Sequence, residues 1–236
     1  MTIIAGNWKM NHDSDSSLAF FEKLQSYGPI PNNVKTIIFP TFLCFGSAQT
    51  NSLGVEIGAQ NGNPEKSGAL TGEVSIFDFP KIDINWLLVG HSERRHIFKE
   101  DSKLLKRKVE TALSLGLKTI YCVGETIEEK EKGLTGEVLK KQISYLENFL
   151  SDKNLIIAYE PVWAIGSGMP AGSKDADEAS LLCKDFCKRD IDVLYGGSVN
   201  SQNVSNYLSS GLISGFLIGG ASLNADSYRD LIDAVA

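Results

Sequence analysis

The chain of 236 residues is poor in the residues that build disulfide frameworks and metal centres. Its four cysteines form no CxxC pair, which argues against a redox or zinc motif. There are only three histidines, and no set of histidines, cysteines and carboxylates has the spacing of metal ligands, so we predict no metal site. The sequence does not open with a charged leader followed by a long apolar run. We therefore expect a cytoplasmic protein with reduced thiols and no attachment to a membrane.

Positive charge is also scarce. The chain has 23 Lys and Arg against 29 Asp and Glu, which gives a formal net charge of -6. This balance opposes binding to nucleic acid or to an anionic membrane, and an anionic small substrate would need local groups to attract it. The phosphate-binding motif GxxxxGK[ST] is missing, so nucleoside triphosphates have no evident binding loop.

One segment matches the sequence pattern of a dinucleotide-binding loop. Residues 166–171, GSGMPA, match the pattern GxGxxA, and Asp190 lies at about the expected distance. The fingerprint needs its first glycine directly after a strand, whereas residues 161–165 separate this glycine from the preceding apolar run, and Pro170 falls inside the turn. We therefore exclude NAD and expect no cofactor.

Short apolar runs rich in β-formers alternate along the chain with stretches of helical period. Eight runs are predicted as strands, near residues 3–5, 36–39, 55–59, 86–89, 119–123, 156–159, 193–195 and 215–218. Each strand with its helix takes about 30 residues, the size of one βα step. The pattern predicts an α/β protein with a single domain over residues 1–236, a (β/α)8 barrel, and a doubly wound open sheet is the alternative.

Two of the intervening helices are well marked. Apolar residues recur at helical spacing from Leu105 to Leu113, and Gly116 follows them as a predicted C-terminal cap. The same spacing continues from Leu139 through Ile143 and Leu146 to Leu150, which predicts one helix over that stretch.

Three of the predicted strands end in side chains suited to chemistry. His91 follows the fourth strand at the start of a charged helix, Glu160 follows the sixth, and Lys9 follows the first. In a barrel of parallel strands, the carboxyl ends of the strands carry the active site. The positive end of a helix dipole disfavours protonation of a nearby histidine, so His91 is a candidate neutral acid. We thus expect a base, an acid and a cation at three equivalent places.

Glycine pairs follow the last two predicted strands, in YGGS at residues 195–198 and in IGGA at residues 218–221. Such pairs let backbone N–H groups approach an anion, and the helix that follows directs its positive end at the same place. Barrels often bind phosphate after strands seven and eight. Tight turns explain one pair easily, but two pairs at these positions favour a phosphate site.

Two loops break the alternation of strands and helices. Residues 60–73 form a long polar loop, which is either functional or a mobile surface segment. Residues 161–173 carry an apolar body between ends marked by proline and glycine, as a lid over an active site requires.

Taken together, the motifs resemble those of the triosephosphate isomerase family. They are NWKM at residues 7–10, GHSERR at 90–95, AYEPVWAIG at 158–166 and the two glycine-pair turns, and they follow the family's order from end to end. The resemblance implies a (β/α)8 barrel that interconverts dihydroxyacetone phosphate and glyceraldehyde 3-phosphate without a metal or a cofactor. It also implies a homodimer in which loop 60–73 enters the neighbouring subunit and places Thr71 near the partner's site.

The resemblance further implies roles for single residues. Glu160 moves the proton between two carbons, His91 polarises the carbonyl as a neutral donor, and Glu93 orients the site. The enediolate charge is stabilised by Lys9 and Asn7. The phosphate is bound by Gly166, Ser198, Gly219 and Gly220. The lid consists of Pro161, Val162, Trp163, Ala164, Ile165, Gly166, Ser167 and Gly168.

Two other functions compete with this interpretation. Another phosphate-binding barrel is one, either a sugar-phosphate isomerase or an aldolase, but an aldolase needs a Schiff-base lysine in an apolar pocket, and no lysine stands at a strand end in that setting. The other is an inert barrel that binds triose phosphate or serves as a scaffold. That function predicts loss of the base, the acid or the cation, and all three are present.

Overall fold

The computed structural model describes residues 1–52, 54–164 and 171–236. The eight strands are β1 (Thr2–Asn7), β2 (Val34–Phe39), β3 (Val55–Ala59), β4 (Trp86–Val89), β5 (Lys118–Val123), β6 (Leu155–Tyr159), β7 (Val193–Tyr195) and β8 (Gly215–Ile218). Each strand pairs in parallel with its neighbours in chain order, and β1 pairs with β8 to close the barrel. The predicted (β/α)8 barrel is confirmed, and the open-sheet alternative is wrong.

Nine α-helices lie in the described part of the chain. They are α1 (Ser14–Ser26), α2 (Phe45–Asn51), α3 (Ser92–His96), α4 (Ser102–Ser114), α5 (Ile127–Glu131), α6 (Thr135–Ser144), α7 (Ser173–Cys187), α8 (Val204–Leu208) and α9 (Ala225–Ala234). None of the helices among these described residues combines the length and the apolar character needed to cross a bilayer.

Alternation along each strand builds two layers of core. Ile3 and Ala5 belong to a cluster formed by strand residues alone, whereas Ile4 between them belongs to a larger cluster that includes helix residues. Successive side chains of a strand point to opposite faces, so the first cluster fills the barrel and the second lies between the strands and the helices. Gly58 of β3 makes room inside, because a Cβ there would lie 2.4 Å from the ring of Phe39.

The helix boundaries correct one prediction. α4 ends as predicted, with Gly116 at φ +77° beyond its last turn. α6, by contrast, ends at Ser144, and the predicted helix through Leu146 to Leu150 is wrong beyond that point. Leu146 is fully buried all the same, because the chain continues in hydrogen-bonded turns that keep it against the core. Here the helical spacing of the apolar residues indicates which residues are buried, and it does not indicate where the helix ends.

Side chains reinforce the closure between the first and last parts of the barrel. The Trp8 indole donates a hydrogen bond to the Ser222 carbonyl over 2.9 Å. The Tyr228 hydroxyl of α9 lies 2.9 Å from the Ile4 carbonyl and 3.2 Å from the Ile37 carbonyl. The first bond joins the loops after β1 and β8, and the other two join α9 to β1 and β2.

Candidate active site

A cavity of about 300 Å³ opens at the carboxyl ends of the strands. Its lining includes the residues predicted from the sequence as cation, acid and base, together with Asn7 and both glycine-pair turns: Asn7, Lys9, His91, Glu160, Gly196, Gly197, Ser198, Gly219 and Gly220. These residues come from β1, β4, β6, β7 and β8 and the turns that follow them. The barrel therefore gathers the predicted groups at one place.

Lys9 is held in an unusual backbone conformation, with φ at +53°. Its N–H donates to the Asn7 side-chain oxygen over 3.0 Å, and its carbonyl accepts from the Gln60 amide over 2.7 Å. A left-handed conformation at a lysine is uncommon and persists only where surrounding contacts hold it. The ammonium group then lies 2.7 Å from a Glu93 carboxylate oxygen, at the edge of the cavity.

His91 precedes α3 as its N-terminal cap. Its Nδ1 accepts a hydrogen bond from the Glu93 backbone N–H over 3.2 Å, whereas the Glu93 carboxylate is 3.6 Å from the same nitrogen. A nitrogen that accepts an N–H carries no proton, so the hydrogen-bond pattern assigns the neutral ring with its proton on Nε2. That Nε2 lies 3.1 Å from a Glu160 carboxylate oxygen.

Glu160 is 3% exposed and is fixed from several sides. Its second carboxylate oxygen accepts the backbone N–H of Ser92 over 3.0 Å, and its own N–H donates to the Val123 carbonyl over 2.7 Å. Gly124 permits this approach, because a Cβ there would lie 1.8 Å from the Glu160 carbonyl oxygen. Burial, together with the nearby Glu160 carboxylate, raises the pKa of the Cys122 thiol well above its usual range.

The two glycine-pair turns form part of the cavity wall. A Cβ at Gly197 would lie 2.1 Å from the Tyr195 hydroxyl, so only glycine fits there without displacement. The Ser198 hydroxyl donates to the Ala164 carbonyl over 3.0 Å, which joins this wall to the start of the predicted lid. A Cβ at Gly219 would lie 4.0 Å from the Lys9 ammonium nitrogen. Backbone groups of the turn and one cation thus face the same space.

The beginning of the predicted lid rests on Glu125, which is fully buried. The Glu125 carbonyl accepts the Val162 N–H over 3.1 Å, and one carboxylate oxygen accepts the Trp163 indole and the Tyr159 hydroxyl, each over 3.0 Å. Burial, reinforced by this carboxylate, raises the pKa of Tyr159, so the phenol keeps the proton that it donates. The lid residues Ile165, Gly166, Ser167 and Gly168, and Pro170 beyond them, lie outside the described residues.

Several residues of the site were not singled out from the sequence. Glu125 follows β5 directly after Gly124, so the strand-end signal that indicated Glu160 was available for it too. Ser92 contributes only a backbone N–H, and Gln60 contributes an amide from the start of the long loop. No pattern of residue types indicates such contacts, because they depend on how loops from different strands meet.

Comparison with known proteins agrees with this geometry. The triosephosphate isomerase family model matches residues 2–235. The chain is 41% identical to the triosephosphate isomerase of Lawsonia intracellularis, with 98% of this chain and 97% of the relative covered. For the enzyme of Natranaerobius thermophilus the identity is 40%, with coverage of 98% and 95%. For that of Saccharomyces cerevisiae it is 36%, with coverage of 98% and 97%. The chain belongs to the triosephosphate isomerase family.

Proposed function

We propose that Glu160, His91 and Lys9 perform the family's reaction in this chain as base, acid and cation. The chain is an isomerase that interconverts dihydroxyacetone phosphate and glyceraldehyde 3-phosphate. The observation that carries the assignment is the 3.1 Å contact between the imidazole Nε2 and the Glu160 carboxylate, with the ring in its neutral form. A neutral N–H donor and a carboxylate acceptor then stand side by side at the strand ends, as proton transfer next to a carbonyl requires.

The forward reaction starts when the substrate enters between these two groups. The carbonyl oxygen at C2 accepts a hydrogen bond from the imidazole N–H. The Glu160 carboxylate, released from that N–H, can then remove a proton from C1. The electrons of the broken C–H bond form the C1–C2 double bond, and those of the carbonyl move onto the C2 oxygen. Lys9 and Asn7 stabilise the negative charge that develops there, because fixed charges and dipoles in a water-poor site act strongly on an enediolate.

Two further proton movements complete the reaction. His91 gives its Nε2 proton to the C2 oxygen and recovers a proton from the C1 hydroxyl, so the ring ends neutral. The C1 oxygen then re-forms a carbonyl, and C2 takes the proton held by Glu160. Glu93 orients the site: its backbone N–H fixes the imidazole, and its carboxylate holds the Lys9 ammonium at 2.7 Å.

The phosphate group is bound by backbone N–H groups of the two glycine-pair turns. Gly219, Gly220 and Ser198 line the cavity. Gly220 also begins the 3-10 turn that runs to Ser222, and backbone N–H groups at the start of such a turn suit an anion. Gly166 is proposed as a further donor from the sequence motif alone, since it lies outside the described residues.

The segment from Pro161 to Gly168 acts as a lid over the bound substrate. Its described part is apolar and anchored at Glu125, so closure would exclude water from the enediolate while Glu160 stays at the end of β6. Residues 1–236 form one domain. The chemistry needs no metal or cofactor, because His91 and Lys9 stabilise the negative charge that develops on the substrate oxygen. We place the enzyme in the cytoplasm, a location that suits its four free and buried cysteines.

The enzyme works as a homodimer through the loop 60–73. Large apolar side chains stand exposed in the segments after β1, β2 and β4, namely Met10 at 94%, Leu43 at 87%, Ile97 at 70% and Phe98 at 60%. Because β1 to β4 are neighbours in the barrel, these loops share one flank of its carboxyl end. Exposed apolar patches of this kind mark contact surfaces. Thr71 is exposed in the long loop, and we propose that it reaches the partner's active site.

Isotope incorporation tests the assignment of Glu160. In D2O, the base exchanges its proton with the solvent and then delivers deuterium to C2 of glyceraldehyde 3-phosphate. NMR detects this deuterium. The Glu160→Gln variant should fold and lose at least about 100-fold in kcat, because a positioned carboxylate contributes that much to proton transfer. Glu137→Gln, on the exposed side of α6, is the matched control and should match the wild type. Turnover near the wild-type rate in a folded Glu160→Gln protein contradicts the role of base.

A further inference from the structure

Two aromatic side chains from the loop after β1 bind the C-terminal end of the glycine-pair turn after β8. That turn begins at Gly219 and continues through Ser222 to Leu223. The Trp8 indole binds the carbonyl of Ser222, as described above, and the His12 Nε2 lies 3.1 Å from the carbonyl of Leu223. A carbonyl oxygen can only accept a hydrogen bond, so the imidazole donates and carries its proton on Nε2.

The two rings also pack against each other. Their centroids are 4.3 Å apart, with an angle of 44° between the planes. Trp8 is fully buried and His12 is partly buried. Burial lowers the pKa of His12 by more than the Leu223 carbonyl and the Asp13 carboxylate raise it, so the ring is neutral at pH 7. The one N–H of the neutral ring is therefore the one that binds Leu223.

The backbone of His12 has an uncommon conformation. Its φ is +66°, in the left-handed region that a residue with a Cβ seldom adopts. The Cys44 thiol, from the segment after β2, lies 3.6 Å from the His12 carbonyl. A conformation of this kind persists only where surrounding contacts hold it, and it is found most often where a side chain has a specific position to occupy. Here that position is beside the Leu223 carbonyl.

We propose that His12 is a positioning residue of the isomerase, which fixes the glycine-pair turn after β8 to the loop that carries Lys9. This role rests on the proposed phosphate site at Gly219 and Gly220 and adds the group that holds the site in place. His12 is not among the described residues that line the cavity, so it acts through the Leu223 carbonyl.

A turn that is held at one end is ordered before the ligand arrives. The Leu223 N–H donates to the Gly220 carbonyl over 3.1 Å, so the position of Leu223 affects the residue that faces the cavity. Without the bond from His12, the turn would occupy other positions in the free enzyme. Affinity for a phosphate ligand then falls with the fraction of molecules that are ready to bind it. Lys9 keeps its own contacts, so the chemical step should be unchanged.

The test compares His12→Asn with His12→Gln. The amide nitrogen of glutamine lies about as far along the side chain as the Nε2 of histidine, whereas that of asparagine corresponds to Nδ1. Both variants lose the ring, and asparagine tolerates the left-handed backbone better, so a larger effect of asparagine cannot come from strain. Titration calorimetry with 2-phosphoglycolate should show an affinity about 3- to 10-fold weaker for His12→Asn, the effect of one hydrogen bond, and within about 2-fold of the wild type for His12→Gln.

Steady-state kinetics show which step is affected. In His12→Asn, KM for glyceraldehyde 3-phosphate should rise by about the same factor as the affinity falls, and kcat should stay within about 2-fold of the wild type. Inhibition by inorganic phosphate should weaken too, because the turn binds the phosphate group and not the carbon atoms of the substrate. Equal losses of affinity in both His12 variants overturn the proposal, since they show that the hydrogen bond is not what matters.

Ser180→Ala is the matched control. The Ser180 hydroxyl donates to the Leu212 carbonyl over 2.7 Å, which is also a single bond from a side chain to a backbone carbonyl, but it lies before β8 at the amino ends of the strands. Its loss should lower Tm and leave the affinity for 2-phosphoglycolate unchanged. If His12→Asn likewise lowers only Tm, His12 has a merely structural role and the proposal is overturned.

Measurements on the wild type separate this proposal from the proposed active site. If the wild type does not bind 2-phosphoglycolate, the proposed active site fails and the role of His12 fails with it. If the wild type binds and His12→Asn binds equally well, only the role of His12 is overturned.

If His12→Asn does not fold, the imidazole nitrogen chemical shifts of the wild type decide. At pH 7 they should show His12 neutral with its proton on Nε2, and bound 2-phosphoglycolate should slow the exchange of that proton with the solvent. A proton on Nδ1, or an exchange rate that does not respond to the ligand, overturns the proposal.

Discussion

The carboxylate of Glu160 accepts hydrogen bonds from the backbone N–H of Ser92 and, in the neutral tautomer, from His91 Nε2. Asn7 in turn accepts the Lys9 N–H. The orientation of the proposed base, Glu160, and the backbone conformation of the proposed cation, Lys9, are therefore set before a substrate arrives. Such preorganisation avoids the cost of arranging dipoles during the reaction. At this scale the backbone matters as much as the side chains, since Ser92 and Glu93 both act through N–H groups.

The cysteines provide a prediction about single residues. Burial raises the pKa of Cys187 to about 11, and burial raises the pKa values of Cys183 and Cys122 further above their ordinary range. Thiols react as thiolates, and a raised pKa means that almost no thiolate is present at pH 8. Ellman's reagent at pH 8 should therefore modify Cys122, Cys183 and Cys187 very slowly in the folded protein, and all four thiols should react rapidly in guanidinium. Rapid modification of Cys122, Cys183 or Cys187 in the folded state contradicts this expectation.

Among the elements, the strands were predicted more accurately than the helices. β3, β4, β7 and β8 have the predicted bounds, because a buried parallel strand is mostly apolar and polar residues or glycines mark its ends. α6 ended earlier than its apolar spacing indicated, since Leu146 is buried from a turn as well as it would be from a helix. His91 and Glu160 could be predicted as site residues for the same reason, because each directly follows the end of an apolar run or its glycine. Gln60 and Ser92 were not, because their contacts exist only after distant loops meet.

The N-terminus of α4 gives a prediction about an element. The Asp101 carboxylate accepts the Leu104 N–H over 2.8 Å and caps the helix that buries Leu105 and Val109. Asp101→Ala should lower the free energy of unfolding by about 0.5–2 kcal/mol, because a helix N–H loses its partner. Asp101→Asn keeps a capping oxygen and should cost less. Urea denaturation of the two variants measures the difference, and equal losses from both would argue against a capping role.

Over the whole molecule, the exposed apolar side chains lie unevenly. Met10, Leu43, Ile97 and Phe98 lie in the segments after β1, β2 and β4, whereas Leu181, 51% exposed, lies on α7 between β6 and β7. The long loop 60–73 belongs to the same flank as the first group. It is tied at its base by the Lys108 ammonium, which donates to the Asn61 side-chain oxygen over 2.7 Å. This is the flank that we propose contacts a second copy of the chain.

Substitution on that flank tests the proposed dimer. Leu43→Asp places a charge on a side chain that is 87% exposed in the single chain, so the fold should be unaffected while an apolar interface would be disrupted. Sedimentation velocity should show a dimer for the wild type and a monomer of low activity for Leu43→Asp. Leu181→Asp, the control on the other flank, should remain dimeric and active. A wild-type protein that is monomeric and fully active at nanomolar concentration would contradict the proposed dimer.

The pairing of β1 with β8 has a consequence for synthesis on the ribosome. The chain is made from its amino end, so β1 leaves the exit tunnel long before Gly215–Ile218 of β8 can pair with it. Until then one edge of β1 carries unpaired N–H and C=O groups, a surface that associates readily with other strands. The Ser222 carbonyl and Tyr228, which bind Trp8 and Ile4, are also synthesised last. Nascent chains stalled before residue 215 should therefore bind chaperones and should not reach the native fold when they are released. The barrel should close only after translation is nearly finished.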